Sequence, residues 1–250
     1  MTRSPDHACE LEVPPFAHSS FMAGRDACRL HIEQFPTEIN RVATEIQQRR
    51  GAKIGTGAMN PNMNLTGVEP DPQGSLGMSK LSEASRQKLG MPVFQVRPLT
   101  REDRDWVSAL LVEHWGSPRI VTRGKIRHAA ELSGFVAVQG DKRIGLVTCR
   151  IDGADCEVVS MNSLVMNAGI GSALLHAVKA LATAAKCKRL WLTTTNDNTP
   201  AIRFCQKRGF VLVAVYRNAV ERSRKLKPEI PRMGVDGIPI RDEIELEMLL

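Results

Sequence analysis

The chain has 250 residues, of which 42% are hydrophobic, 24% charged and 4% aromatic, ordinary globular usage that excludes collagen-like, coiled-coil and wholly disordered chains. No stretch approaches the roughly 18 uncharged apolar residues of a membrane helix, and the opening MTRSPDHACE has no apolar signal core, so a cytoplasmic protein is expected. The formal net charge of +7 is uneven: residues 1–90 carry 10 Lys+Arg against 10 Asp+Glu, and residues 91–250 carry 24 against 17.

In chain order, Thr37 to Arg50 (TEINRVATEIQQRR) sets Ile39, Val42, Ala43 and Ile46 on one face at helical spacing, after Pro36 and before Gly51. One amphipathic helix is expected there, docked on the main body or fraying in solvent. Gly51 to Ser79 holds six glycines, three prolines and three asparagines among few large apolar residues. Such a stretch buries too little surface to offset chain entropy, so 51–90 reads as a disordered linker. From Met91 the pattern becomes strands alternating with helices. Phe94–Pro98 alternates like a strand, and Thr100 with Asp103 has the form of a capping box opening a helix through Trp106, Leu110 and Leu111 to about Gly116. Phe135–Val138 and Ile144–Ile151 flank the turn-forming QGDKR as a hairpin, and Cys156–Met161 adds a third strand.

Beyond the glycines, Ala173, Leu174, Ala177, Val178, Leu181 and Ala185 form one stripe of a long helix. Leu190–Thr195 reads as a buried strand and Pro200–Lys207 as a short helix closed by Gly209. Phe210–Tyr216 and Glu243–Leu250 read as alternating strands joined by a long basic segment. The six cysteines (Cys9, Cys28, Cys149, Cys156, Cys187, Cys205) show no C-x-x-C pair and no metal-ligand spacing with histidine, so they read as reduced, small core residues. No G-x-S-x-G elbow, H-E-x-x-H helix or EF-hand loop occurs, and the histidines are scattered. The basic residues Arg217, Arg222, Arg224, Lys225 and Lys227 lack the aromatic interleaving of a nucleic-acid surface, so nucleic acid is not an expected partner.

The most informative segment is strand, then N-A-G-I-G-S-A (Asn167–Ala173), then helix. A helix start leaves backbone N–H groups unpaired and carries partial positive charge, and glycines let a phosphate approach that backbone. The pattern lacks the third glycine of a dinucleotide fingerprint and the G-K-[ST] of a P-loop. On its own it serves either an anion seat or a tight turn without a ligand.

The order of elements over about Pro92 to Leu250 resembles the GNAT superfamily of acyl-CoA-dependent N-acetyltransferases. SLVMNAGIGSALLHAV resembles the family's acetyl-CoA pyrophosphate loop, and NDNTPAIRFCQKRGF resembles its N-x-x-A…Y…GF segment. RLWLTTTNDNTPAIRF with KLKPEIP and GIPIRDEIELE is similar to a bacterial subgroup without an assigned substrate. The resemblance implies an α/β fold, a mixed, mostly antiparallel twisted sheet flanked by helices on both faces. It occupies 91–250, with 1–90 as an N-terminal extension or a misassigned start. It implies acetyl-CoA as cosubstrate, no metal, and contacts to the cofactor from Met161, Ala168, Gly169, Ile170, Gly171, Ser172, Ala173 and Asn198. Asn198 before proline is equally a turn or cap residue.

Two positions depart from the family's pattern. Met166 stands where a glutamine or arginine would donate to the pyrophosphate, leaving the backbone donors of Ala168–Ala173. Cys205 stands where the family commonly has a tyrosine that protonates the departing thiolate. Cys205 is a substitute acid, the step needs no acid, the domain binds acyl-CoA with little catalysis, or the thiol is a core residue. Asp155 and Glu157 lie two apart in a strand, hence on one face, and the resemblance makes either one the base that accepts the amine proton, against the plain alternative of solvated carboxylates. His114 and Trp115 fall where the family builds its acceptor site, or are an ordinary helix end. The expected function is acetyl transfer by direct attack of a primary amine on acetyl-CoA, the amine belonging to a small molecule or peptide, with no membrane partner and a homodimer left open. The alternative is a catalytically weak or inactive acyl-CoA-binding sensor.

Overall fold

Short alternating runs bounded by turn residues build a seven-stranded sheet in the computed structural model, which describes residues 39–45 and 93–250. Strand β1 (Gln95–Pro98) leads through a single 3-10 turn to helix α1 (Arg104–Trp115). A hairpin of β2 (Arg119–Thr122) and β3 (Lys125–His128) follows, then β4 (Ser133–Gln139), β5 (Lys142–Asp152) and β6 (Asp155–Ser163). Helix α2 (Ile170–Ala184), β7 (Arg189–Thr195), α3 (Thr199–Gln206), β8 (Val211–Tyr216), α4 (Ala219–Leu226) and β9 (Glu243–Leu249) complete the chain. The strand order is β1-β4-β5-β6-β7-β9-β8, while β2 and β3 pair only with each other. Within the large sheet β6 and β7 run parallel and every other neighbouring pair is antiparallel. This is the mixed, mostly antiparallel sheet with helices on both faces that the sequence led us to expect.

Two apolar layers hold the helices. On one face α2 lays Leu174, Val178 and Leu181 against Phe135, Val147, Cys156 and Leu190, with Phe204 and Cys205 of α3 beside them. Each fully buried Leu of this stripe contributes about 2 kcal/mol of transfer free energy. On the other face α1 packs Val107, Leu110 and Leu111 against Leu146, Val159 and Ile120 of the hairpin. The capping box forms as its residue types predict: the Thr100 amide donates to Asp103 Oδ2 at 2.9 Å. Arg97 and Arg143 clamp the same carboxylate at 2.7–2.9 Å, and hydrogen bonding to Arg97 leads in holding it well below the usual carboxylate range.

Residues 39–45 are helical, and Ile39 and Ala43 are buried in the α2-side core, with Val42 packed against it. The expected linker 51–90 lies outside the described residues, as do Cys9 and Cys28. Cys149, Cys156, Cys187 and Cys205 are buried in the core. The basic run after β8 turns partly inward: Arg224 donates to the carbonyls of Ile230, Pro231 and Ile240 at 3.2, 2.7 and 2.7 Å. Lys227 is buried, donates from Nζ to the Arg119 carbonyl at 2.9 Å, and is pushed down by burial to about 8.

Candidate active site

The site begins with a break in strand pairing. β6 and β7 pair only from Asp155↔Arg189 to Val158↔Leu192, although β6 continues to Ser163 and β7 to Thr195. The cause lies in the adjoining pair, where Cys149 faces Val158 but Thr148 faces Ser160. Val159 is thus an extra residue in β6, and a bulge of this kind bends its strand. Past it the two parallel strands part, and the sides they turn to each other offer main-chain groups to an extended ligand.

The gap leads to the glycine turn. Asn167 and Gly169 have φ of 57° and 76°, and the left-handed conformation at Gly169, the α2 N-cap, is one that glycine adopts without strain. No acidic residue occupies the first turn of α2, so nothing there offsets the positive end of the helix dipole. At Gly171 a Cβ would stand 3.2 Å from the Phe204 ring, so its missing side chain also lets α2 close on α3. Met161 and Ile170 are buried in the core, Ala168 and Ala173 pack at its edge, and Met166 is exposed. Asn198 caps α3, its Oδ1 accepting from the Ala201 amide at 3.3 Å.

A cation not singled out in the sequence completes this end. Arg208 donates from Nε to Ser172 Oγ at 3.2 Å and from Nη1 to the Phe204 carbonyl at 2.9 Å, and a second nitrogen also contacts Ser172. Its guanidinium lies over the Phe204 ring, 3.5 Å from the centroid, which fixes a positive charge at the first turn of α2. Cys205, its neighbour in α3, is fully buried, and burial pushes its thiol up to about 12.

The opposite face of the sheet is acidic. Glu157 is buried there, accepting from Thr122 Oγ1 at 2.6 Å and from Arg127 at 3.2 Å. Asp155 shares the face but is nearly half exposed, 3.7 Å from Arg189. Glu243, Glu245 and Glu247 alternate along β9 on the same side. Ser223 Oγ donates to Glu243 at 2.8 Å and the Tyr216 hydroxyl to Glu245 at 2.7 Å. Arg189 pairs with Glu245 and, at 2.6 Å, with Glu247. Trp115 donates from Nε1 to Asn162 Oδ1 at 3.1 Å. The structure therefore gathers Glu157 and Asp155 on one face and the glycine turn, Asn198 and Cys205 toward the other.

Sequence reasoning passed over the β2–β3 hairpin, although R-I-V-T/R-G/K-I-R-H is two alternating runs about an x-Gly turn. It also passed over the acidic row EIELE, whose period of two was legible. Among the described residues no group of His, Cys, Asp and Glu is arranged to hold a metal ion, and no helix is long and apolar enough to cross a membrane.

A sequence model of the acetyltransferase (GNAT) family matches residues 99–210. The uncharacterized protein YdhI of Bacillus subtilis (strain 168) is 50% identical over 133 residues, 53% of this chain and 83% of YdhI. YxbD of the same organism is 42% identical over 154 residues, 61% of this chain and 97% of YxbD. A solved structure, the IAA acetyltransferase from Bacillus cereus ATCC 14579, aligns with a TM-score of 0.50 at 19% identity, covering 63% of this chain and 100% of that one. At that identity the likeness speaks for the fold alone. A sheet parted between β6 and β7 over a helix entrance is thus the frame of an acetyltransferase. The chain belongs to the acetyltransferase (GNAT) family, whose enzymes use acetyl-CoA as cosubstrate.

Proposed function

We propose that this chain transfers the acetyl group of acetyl-CoA to a primary amine by direct attack. The observation that carries the reading is the parting of β6 from β7 after Val158, which opens toward the acid-free first turn of α2. Acetyl-CoA supplies the activated acyl group and a thiolate leaving group. The amide groups at Ile170–Ser172, with Arg208 beside them, suit a pyrophosphate, and the unpaired side of β6 beyond Val159 suits an extended arm. Glu157 takes the amine proton, directly or through one water, as the new C–N bond replaces the C–S bond. Both Glu157 oxygens are engaged by hairpin residues, so accepting that proton requires the hairpin to yield one. Cys205 lies closed in the core with its thiol raised, which favours departure of the thiolate without a protein acid. Positioning then supplies most of the rate.

Calorimetric titration of acetyl-CoA into the full chain and into Ser172→Glu tests this. A carboxylate in the first turn of α2 suits the helix dipole, repels the pyrophosphate and draws off Arg208. The expected outcome is wild-type binding weakened at least about tenfold in the variant; no binding by the wild-type chain, or equal binding by both, overturns the reading.

A second reading, an acyl-CoA binder with little turnover, is favoured by the two engaged oxygens of Glu157. Acetyl-CoA binding with no CoA release across a broad amine panel would select it.

A further inference from the structure

The β2–β3 hairpin is a separate two-stranded sheet lying across the acidic face. Its apolar anchorage is slight: Ile120 is buried while Ile126 is exposed. Its polar contacts are more numerous. Thr122 and Arg127 hold Glu157, and the Arg123 amide donates to Glu243 at 3.0 Å. At the tip Arg123 and Gly124 have φ of 48° and 70°, the pair of left-handed residues that makes a type I′ turn.

That turn aims one guanidinium into a seat built by three other strands. The Arg123 guanidinium lies 5.6 Å from the Trp191 ring centroid on β7 and 5.2 Å from the Tyr216 centroid on β8. Its Nε is 3.6 Å from Glu245 on β9. Two aromatic rings and a buried carboxylate make a cation seat. Arg189 of β7 lies 5.4 Å from the Trp191 centroid and also pairs with Glu245, whereas Arg123, between Trp191 and Tyr216, is not part of the strands that form the seat. Arg123 is 46% exposed while Glu245 beneath it is buried, so Arg123 covers the seat from the solvent side. Buried carboxylates are costly without cations. Arg127 of the hairpin serves Glu157, Arg123 of the hairpin with Arg189 of β7 serves Glu245, and Arg189 also serves Glu247, while Glu243 is met by neutral donors, the Arg123 amide and the Ser223 hydroxyl. Lifting the hairpin removes the cation of Glu157 and one of the two that serve Glu245, leaving Arg189 on Glu245 and Glu247, so a cation arriving with the acceptor offsets that loss.

We propose that Arg123 is an internal stand-in for part of the acceptor: the Trp191–Tyr216–Glu245 seat binds a second cationic group, guanidinium or ammonium, of the amine to be acetylated, and its arrival frees the hairpin from Glu157. This rests on the acetyltransferase reading above. The spacing fits an extended dication. Glu157 on β6 stands beside Trp191 on β7, and Glu245 on β9 is opposite Thr193, two strand spacings from β6, or about 10 Å. The acceptor class is thus a diamine or a guanidino-amine, and a simple alkylamine leaves the seat to Arg123.

The test uses the full chain loaded with CoA, with agmatine (amine plus guanidinium) and pentylamine (amine only) as probes in calorimetry. Arg123→Asn creates an Asn-Gly tip that keeps the type I′ turn. Agmatine is expected to bind the wild-type chain, to bind Arg123→Asn about tenfold tighter because the internal competitor is gone, and to lose that gain when Glu245→Gln is added. Pentylamine is expected to gain nothing. Amide hydrogen exchange at 119–128 should rise with agmatine. Agmatine binding that is absent, or equal in wild type and Arg123→Asn, overturns the proposal, as does an equal gain for pentylamine, which would mean space rather than charge. Normal CoA binding in those cases leaves the acetyltransferase reading standing; failure of CoA to bind overturns both.

Discussion

The two faces of the sheet treat charge in opposite ways. At the entrance of α2 an acid-free first turn, N–H groups and Arg208 gather positive potential. On the hairpin face Glu157, Glu245 and Glu247 are held by Arg123, Arg127 and Arg189, and Glu243 by the Arg123 amide and the Ser223 hydroxyl. The contrast teaches that a formal net charge of +7 says little about either ligand. In the proposed reading an anionic cofactor and a cationic acceptor meet opposite sides of one sheet, each facing local charges of the opposite sign.

The strongest way to break the comparison is to remove the proposed proton acceptor from the acidic face. Glu157→Gln is expected to lower kcat by about a hundredfold or more while calorimetry shows acetyl-CoA binding unchanged; a parallel loss of cofactor affinity would mean that the two faces are not separate. On the other face, Arg208→Gln should raise the Kd for acetyl-CoA about tenfold with kcat at saturation retained, as measured by CoA release.

A smaller effect concerns Lys227, which pins the base of the hairpin. Burial holds its folded-state value at about 8 against an ordinary 10.5, so between those values the unfolded chain binds the extra proton and stability rises with pH. Chemical denaturation of wild type against Lys227→Met should show the wild type gaining ground from about pH 8 to 10.5 and no such difference in slope below pH 7. Smallest of all, Cys205→Ala should leave kcat within about twofold, since a thiol closed in the core and raised to about 12 contributes little proton transfer; a hundredfold loss would restore it as the acid.

The strand and helix order was legible because its signals are local. The stripe Leu174, Val178, Leu181 needs only a period of 3.6, and Thr100 with Asp103 only a spacing of three. The glycine turn and Glu157 were legible as positions but not as environments. Glu157 meets Arg127 thirty residues earlier in the chain, and no local pattern announces that pairing. Gly171 was read through the ligand it would admit; that it also lies against Phe204 of α3 is a packing role no local pattern announces. Arg208 escaped notice because a lysine- and arginine-rich helix end is ordinary in solvent; only the fold brings it to Ser172. The hairpin was missed for a different reason, because two four-residue strands give too short an alternation to stand out beside a charged turn.

The extra residue at Val159 has a consequence for parity. Along an unbroken strand odd and even positions keep to opposite sides. Glu157 and Asn162 differ in parity, yet one contacts the hairpin and the other Trp115 on that same side, while Val158 and Met161 both enter the core beneath α2. Inserting one residue thus lets a single strand set its carboxylate and its amide on the same side while keeping apolar residues on the other. A strand of even count would have to surrender one of the two.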